Sequence, residues 1–196
     1  MEKIYGKNYA DMLTLLSLGE LKATIQTMGA TSRETHLYAD LEGHDPDDGV
    51  SDIAYEKGRF FLTAIEENIG REKWDAFLNK YFTTFAFKSM NTTTFLEYLE
   101  SELIKGDEVL RNKINANAWV YGPGLPANCP VIVSTELDKA GSAANEFLKT
   151  GSTQNPDTNH WTTHHWLYFL RTMKDKLDLT KMQTLDAAYG FTNSGN

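Results

Sequence analysis

Trp74-Asp75-Ala76-Phe77-Leu78-Asn79-Lys80-Tyr81-Phe82-Thr83-Thr84-Phe85 is the stretch that decides the fold class. Its apolar residues fall at i, i+3, i+4, i+7, i+8 and i+11, the recurrence of a helix that buries one stripe. Large side chains at that spacing read as core packing rather than as a cofactor box. Outward from it, Met12, Leu15, Leu16, Leu18, Leu21 and Ile25 predict a helix from Tyr9 to Met28, stopped by Gly29. Ser51 to Asn68 predicts another, capped by Ser51 or Asp52, burying Ile53, Ala54, Phe61, Leu62 and Ile65 and ending at Gly70. Gly58 inside it costs about 1 kcal/mol against alanine, which predicts a close approach to the backbone there. Phe95, Leu96, Leu99 and Leu103 mark a helix opened by Thr92 or Thr93, and Asp107 to Ile114 a short one. Thr135 to Thr150, Trp161 to Lys174 and Thr180 to Tyr189, the last stopped by Gly190, complete an all-α pattern.

Two segments interrupt the helices. Ala30 to Asp52 holds Gly43, Pro46, Gly49 and the acidic Glu34, Asp40, Glu42, Asp45, Asp47, Asp48 and Asp52, and reads as an acidic loop. Trp119 to Pro130 has three prolines and two glycines in twelve residues; it is not expected to be a regular helix and is the best domain boundary.

The chain has 196 residues, 19 Lys+Arg against 27 Asp+Glu, and a net charge of −8, which disfavours nucleic acid as a partner. Apolar residues at 41% and aromatics at 12% are enough for a sizeable core, so a folded, soluble protein is expected. No apolar run approaches the roughly 18 to 20 residues of a membrane span. The lone Cys129 excludes an internal disulfide and a multi-cysteine zinc site. The start, Met1-Glu2-Lys3-Ile4-Tyr5-Gly6, lacks a signal-peptide pattern and reads as if cut into a longer chain.

Few constellations carry chemistry on their own. His-Glu-x-x-His, which places two imidazoles and a carboxylate on one helix face, is absent. His160 and His164 have i, i+4 spacing, but Asn159 and Thr162 read as caps that break the register. The acidic run Asp45 to Asp52 lacks the ordered spacing of a calcium loop. No Gly-x-Ser-x-Gly elbow and no phosphate loop is present.

Asp45-Pro46-Asp47, followed after seven residues by Tyr55-Glu56-Lys57-Gly58, resembles the zinc metallo-aminopeptidases of the gluzincin class, peptidase family M-one, most closely the branch that includes leukotriene-A-four hydrolase. Ile69-Gly70 then Phe77-Leu78, Tyr81 through Phe87 to Lys88-Ser89, and Trp119-Val120-Tyr121-Gly122-Pro123-Gly124-Leu125-Pro126 agree in order; a weaker likeness runs through Asn159 to Thr172 and Ala187 to Asn193. The resemblance implies that residues 1–116 are the helical second half of a thermolysin-like catalytic domain. It implies a Pro/Gly-rich linker at 117–133, and at 134–196 the first helices of an armadillo/HEAT-like α-solenoid. Zinc is implied in the full-length enzyme, held by ligands upstream of Met1, with none expected in this fragment, which is expected to be inactive alone.

The family's catalytic tyrosine maps onto Tyr55. Its phenol is implied to donate a hydrogen bond to the oxyanion formed when water attacks a peptide carbonyl. Asp47 maps onto an acidic substrate-binding residue. Val50 and Ala54 are implied to line the S1-side pocket, where the branch has a tyrosine and a proline; their departure weakens the case for epoxide hydrolysis, which the sequence does not decide, and leaves hydrolysis of N-terminal residues from peptides as the implied activity. A peptide substrate and self-association through exposed apolar surface are expected, with no nucleic-acid or membrane partner. The alternative is a non-catalytic helical module that binds a protein or peptide.

Overall fold

The structure, a computed structural model, describes residues 2–43, 45–154 and 157–192. Its helices are α1 (Glu2–Tyr5), α2 (Lys7–Met28), α3 (Gly58–Ile69), α4 (Arg71–Thr84), α5 (Thr92–Leu99), α6 (Glu108–Ile114), α7 (Ala116–Tyr121), α8 (Thr135–Thr150), α9 (Thr163–Met173) and α10 (Leu179–Tyr189). Single π-helical turns, Ile53–Lys57 and Glu100–Ile104, precede α3 and follow α5. No strand occurs among the described residues, so the protein is all-α. The chain forms two compact units, one of residues 18–131 and one of residues 1–17 with 132–196.

In the 18–131 unit the core is built from Leu21 and Ile25 of α2, Phe60, Phe61, Ala64 and Ile65 of α3, Trp74 and Phe77 of α4, and Trp119 of α7. Phe61 stacks on Trp119 at 5.8 Å and meets Phe95 edge-on at 6.5 Å. The aromatic stripe of α4 is narrower than its spacing suggests, because Phe82 is 67% exposed. At about 100° per residue, Phe82 lies about 80° round the helix from Trp74, outside the face that Phe77, Tyr81 and Phe85 share. Tyr81 and Phe85 instead pack on Tyr98 of α5, at 5.7 and 5.1 Å. Leu62 and Ala54, expected on the buried side, are exposed. The helix before the Pro/Gly-rich segment runs on to Tyr121, since the first proline, Pro123, restricts only the residue before it.

The second unit packs α8 on α9. The Ser134 hydroxyl accepts the Leu137 N–H at α8's start, and Gly151, with φ +68°, closes the helix with an N–H to Phe147 O. Leu137, Ala140, Ala144 and Phe147 form its buried stripe. Phe147, Phe169, Met173 and Leu185 make a core that Trp161, Trp166, Tyr189 and Phe191 surround. Thr162 is the N-cap of α9, which leaves His160 in a turn outside the helix and His164 inside it, with Tyr9 against its edge at 5.8 Å. The i, i+4 pair is therefore not on one helix face. Asn193, where the weaker likeness ends, lies outside the described residues.

His165 ties α9's start together. Its Nδ1 accepts the Thr162 N–H at 3.1 Å, and its Nε2 lies 3.7 Å from the Glu136 carboxylate. Burial lowers its pKa below the usual 6.5, outweighing the attraction of Glu136. The unfolded chain thus binds this proton more readily than the folded one, so the contribution is complete above about pH 6.5 and is lost as pH falls through the folded value. Urea unfolding at pH 7.5 and pH 5 is expected to show lower stability at pH 5, with a smaller drop in His165→Asn. An equal drop in the two proteins would contradict this.

Candidate active site

The residues singled out around Tyr55 lie on one stretch leading into α3. Asp45 opens a 3-10 turn, Pro46–Gly49, with its carboxylate accepting the Asp47 N–H at 2.9 Å. Val50 follows in an extended conformation, and Ile53–Lys57 forms the π-turn. Asp47 and Ala54 are exposed, Val50 is 69% exposed and Tyr55 is 70% exposed. All four side chains therefore meet solvent. Asp52 does not cap the helix through its side chain; its carboxylate accepts the Thr24 hydroxyl at 3.3 Å. The sequence pattern predicted an α-helical start here, whereas the turn is π-helical, a form found frequently at functional sites.

What holds this stretch in place is a lysine. Ile53, Lys57, Phe60, Phe61 and Ala64 share the buried side of the π-turn and α3. Lys57 is fully buried, and its ammonium donates to Thr35 O at 2.7 Å and to Gly122 O at 2.8 Å. Burial pushes its pKa down to about 8. Charge-assisted donation to two carbonyls offsets the cost of removing the cation from water. Its positive charge, after burial itself, also lowers the pKa of His36.

The two loops that Lys57 joins are also bonded to each other. The Thr35 hydroxyl donates to Ser32 O at 2.7 Å and accepts the Gly124 N–H at 2.8 Å. Tyr38 N–H donates to Val120 O at 3.0 Å. The Tyr-Glu-Lys-Gly and Pro-Gly-Leu-Pro segments, far apart in sequence, thus interlock through Lys57 and Thr35. Gly122 is required at this junction: a Cβ there would sit 2.4 Å from the Ala118 carbonyl oxygen. Gly58, the glycine expected to admit a close approach, does not, because a Cβ on it would meet only Leu37 Cδ2 at 3.8 Å, an ordinary contact.

Lys57, Thr35 and Gly122 were not among the predicted site residues. The available signal was Lys57's place on an apolar stripe, three residues before Phe60 and four before Phe61. Glu56 and Arg59 flank it as an ion pair at 2.9 Å on the partly exposed side. No group of three or more His, Cys, Asp or Glu among the described residues could hold a metal ion. No helix among them is long and apolar enough to cross a membrane.

Known proteins resemble nearly the full length of the chain. A leukotriene A-4 hydrolase homolog of Botryotinia fuckeliana is 28% identical over 98% of this chain and 31% of its own length. Leucine aminopeptidase 2-1 of Meyerozyma guilliermondii is 32% identical over 94% of this chain and 32% of its own length. The chain thus spans about a third of the length of these curated relatives. The fold is shared with yeast LTA4 hydrolase solved with bestatin, at a TM-score of 0.84 and 21% identity, covering 98% of this chain and 36% of that one. Residues 1–116 match the Peptidase family M1 domain, and the chain belongs to peptidase family M1.

Proposed function

We propose that this chain is part of an aminopeptidase that removes N-terminal residues from peptides, with Tyr55 donating a hydrogen bond to the oxyanion of the transition state. The observation that carries the reading is an exposed phenol on a π-turn whose next-but-one residue, Lys57, is anchored in the core. As a peptide carbonyl becomes tetrahedral its oxygen gains negative charge, and a donor already aimed at it stabilises that charge without reorganising. Asp47 offers a carboxylate beside the same stretch, suited to a substrate's cationic amino terminus or to ordering water. Val50 and Ala54 present small apolar surfaces to the residue that flanks the scissile bond.

Membership of family M1 implies zinc in the full-length enzyme. The donor set among the described residues does not fit that ion, since no three candidate ligands converge. The part assigned to this chain is therefore substrate contact and oxyanion stabilisation, and the 196-residue chain alone is proposed to be inactive. Hydrolysis of an aminoacyl-arylamide, measured with zinc added, tests this. A protein of the relatives' full length that carries this chain is expected to turn over, and the purified chain is not. Clear turnover by the chain alone would overturn the assignment of the remaining groups to residues outside it.

A further inference from the structure

We infer that Lys57 is the positioning residue of this site: its ammonium, shared between the carbonyls of Thr35 and Gly122, fixes the π-turn that turns the Tyr55 phenol outward. The catalytic meaning rests on the role proposed for Tyr55, whereas the coupling itself does not.

The geometry supports a clamp more than general core packing. Three separate segments end on one nitrogen, at 2.7 and 2.8 Å. Two of them, Ser32–Thr35 and Gly122–Gly124, would hold together through the Thr35 hydroxyl and the Gly124 N–H without the lysine. Lys57 adds the third, the turn that bears Tyr55. Within that turn Lys57 is fully buried and Tyr55 is mostly exposed, so anchoring one side fixes the direction of the other. A hydrocarbon side chain of the same length fills the space but orients nothing, because the directional element is the pair of N–H···O bonds.

Charge makes the clamp titratable. A neutral amine still donates, but bonds from a charged donor are roughly twice as strong, so deprotonation near pH 8 loosens the turn without removing it. The ionisable group that interacts electrostatically with Lys57 is His36, which Arg33 also faces, and the Glu56–Arg59 ion pair flanks Lys57 in sequence. Gly122-Pro123-Gly124 carries none. Burial and the nearby cations lower the pKa of His36 below 6.5, which separates its titration from that of Lys57.

The test is an NMR titration of the 196-residue chain carrying 13C-labelled tyrosine and lysine, from pH 6.5 to 9, where a free phenol with a pKa of about 10 is still mostly protonated. The Tyr55 ring signals are assigned by their loss in Tyr55→Phe. They are expected to shift with a midpoint near 8, coincident with the Lys57 side-chain signals. In Lys57→Met the step disappears and the Tyr55 signals move to new positions while the helical circular dichroism persists. Tyr55 signals that stay flat through the Lys57 titration overturn the inference, and so does an unchanged step in Lys57→Met. If that variant does not fold, the wild-type titration decides alone. Full activity of Tyr55→Phe in the longer enzyme would remove the catalytic role of Tyr55 and leave this coupling standing, so the two failures are separate results.

Discussion

Gly122→Ala is expected to destabilise the chain by about 3 kcal/mol, because overpacking typically costs about 1–3 kcal/mol and a hydrogen bond to a charged group contributes about 1.5–3 kcal/mol. The added Cβ would lie 2.4 Å from the Ala118 carbonyl oxygen, which belongs to α7's own backbone and cannot swing aside as a side chain does. The loop must therefore move, carrying the Gly122 carbonyl away from Lys57. Both terms act on the same junction, and that is why the sum exceeds a usual surface substitution. Gly58→Ala is the built-in control. It sits in helical backbone at φ −59° with only Leu37 Cδ2 nearby, so it is expected to gain about 0.5–1 kcal/mol from the lower entropy of the unfolded chain. Urea unfolding of both variants measures this. A Gly122→Ala loss below about 1 kcal/mol would mean the loop relaxes freely and the junction is not rigid.

The contrast between these two glycines shows what the sequence made legible. Gly58 lies in a helical pattern and looked costly there, yet its surroundings are open. Gly122 lies in a proline-rich loop where a glycine needs no special explanation, and what makes it indispensable is the Ala118 carbonyl four residues back, in the last turn of α7. Local signals served well where structure is local. The boundaries of α8, Thr135–Thr150, follow from the Ser134 cap and the left-handed Gly151, both readable within a few residues. The last helix begins at Leu179, one residue before the predicted start at Thr180, because its cap is Asp178, whose carboxylate accepts the Lys181 N–H.

Non-local features stayed hidden. The π-turns at 53–57 and 100–104 lie at the ends of α3 and α5, and a single widened turn of five residues is too short to show as a change in the apolar pattern. In the sequence Lys57 is only part of its motif and carries no assigned role, because a lysine is buried only when its partners, here two backbone carbonyls from residues 22 and 65 positions away, are in place. Tyr55 was marked by its motif and not by its spacing, and Asp47, Val50 and Ala54 followed from the same motif. Periodicity alone assigned Ala54 to the core, where it does not lie.

On the oxyanion role proposed for Tyr55, Tyr55→Phe in a protein of the relatives' full length that carries this chain is expected to lower kcat by about 10²–10³-fold, the typical effect of removing one oxyanion donor, about 2.7–4 kcal/mol. KM should change little, because the hydrogen bond is made to charge that develops only as the carbonyl becomes tetrahedral. The fold should not change either. The side chain is 70% exposed, so losing one hydroxyl leaves no buried polar group unpaired and no cavity. Helical circular dichroism and the urea midpoint of the variant chain are thus expected to match the parent. A variant that loses activity and stability together would point to a structural role for the phenol.

The most direct test of the account compares affinities in the longer enzyme. A phosphinic peptide, whose tetrahedral centre mimics the transition state, and the matching uncleaved planar peptide are each measured against the parent and Tyr55→Phe. The account predicts that the variant binds the tetrahedral mimic about 10²–10³-fold more weakly while its affinity for the planar peptide is nearly unchanged. Equal losses for both ligands, or no loss for either, would contradict it.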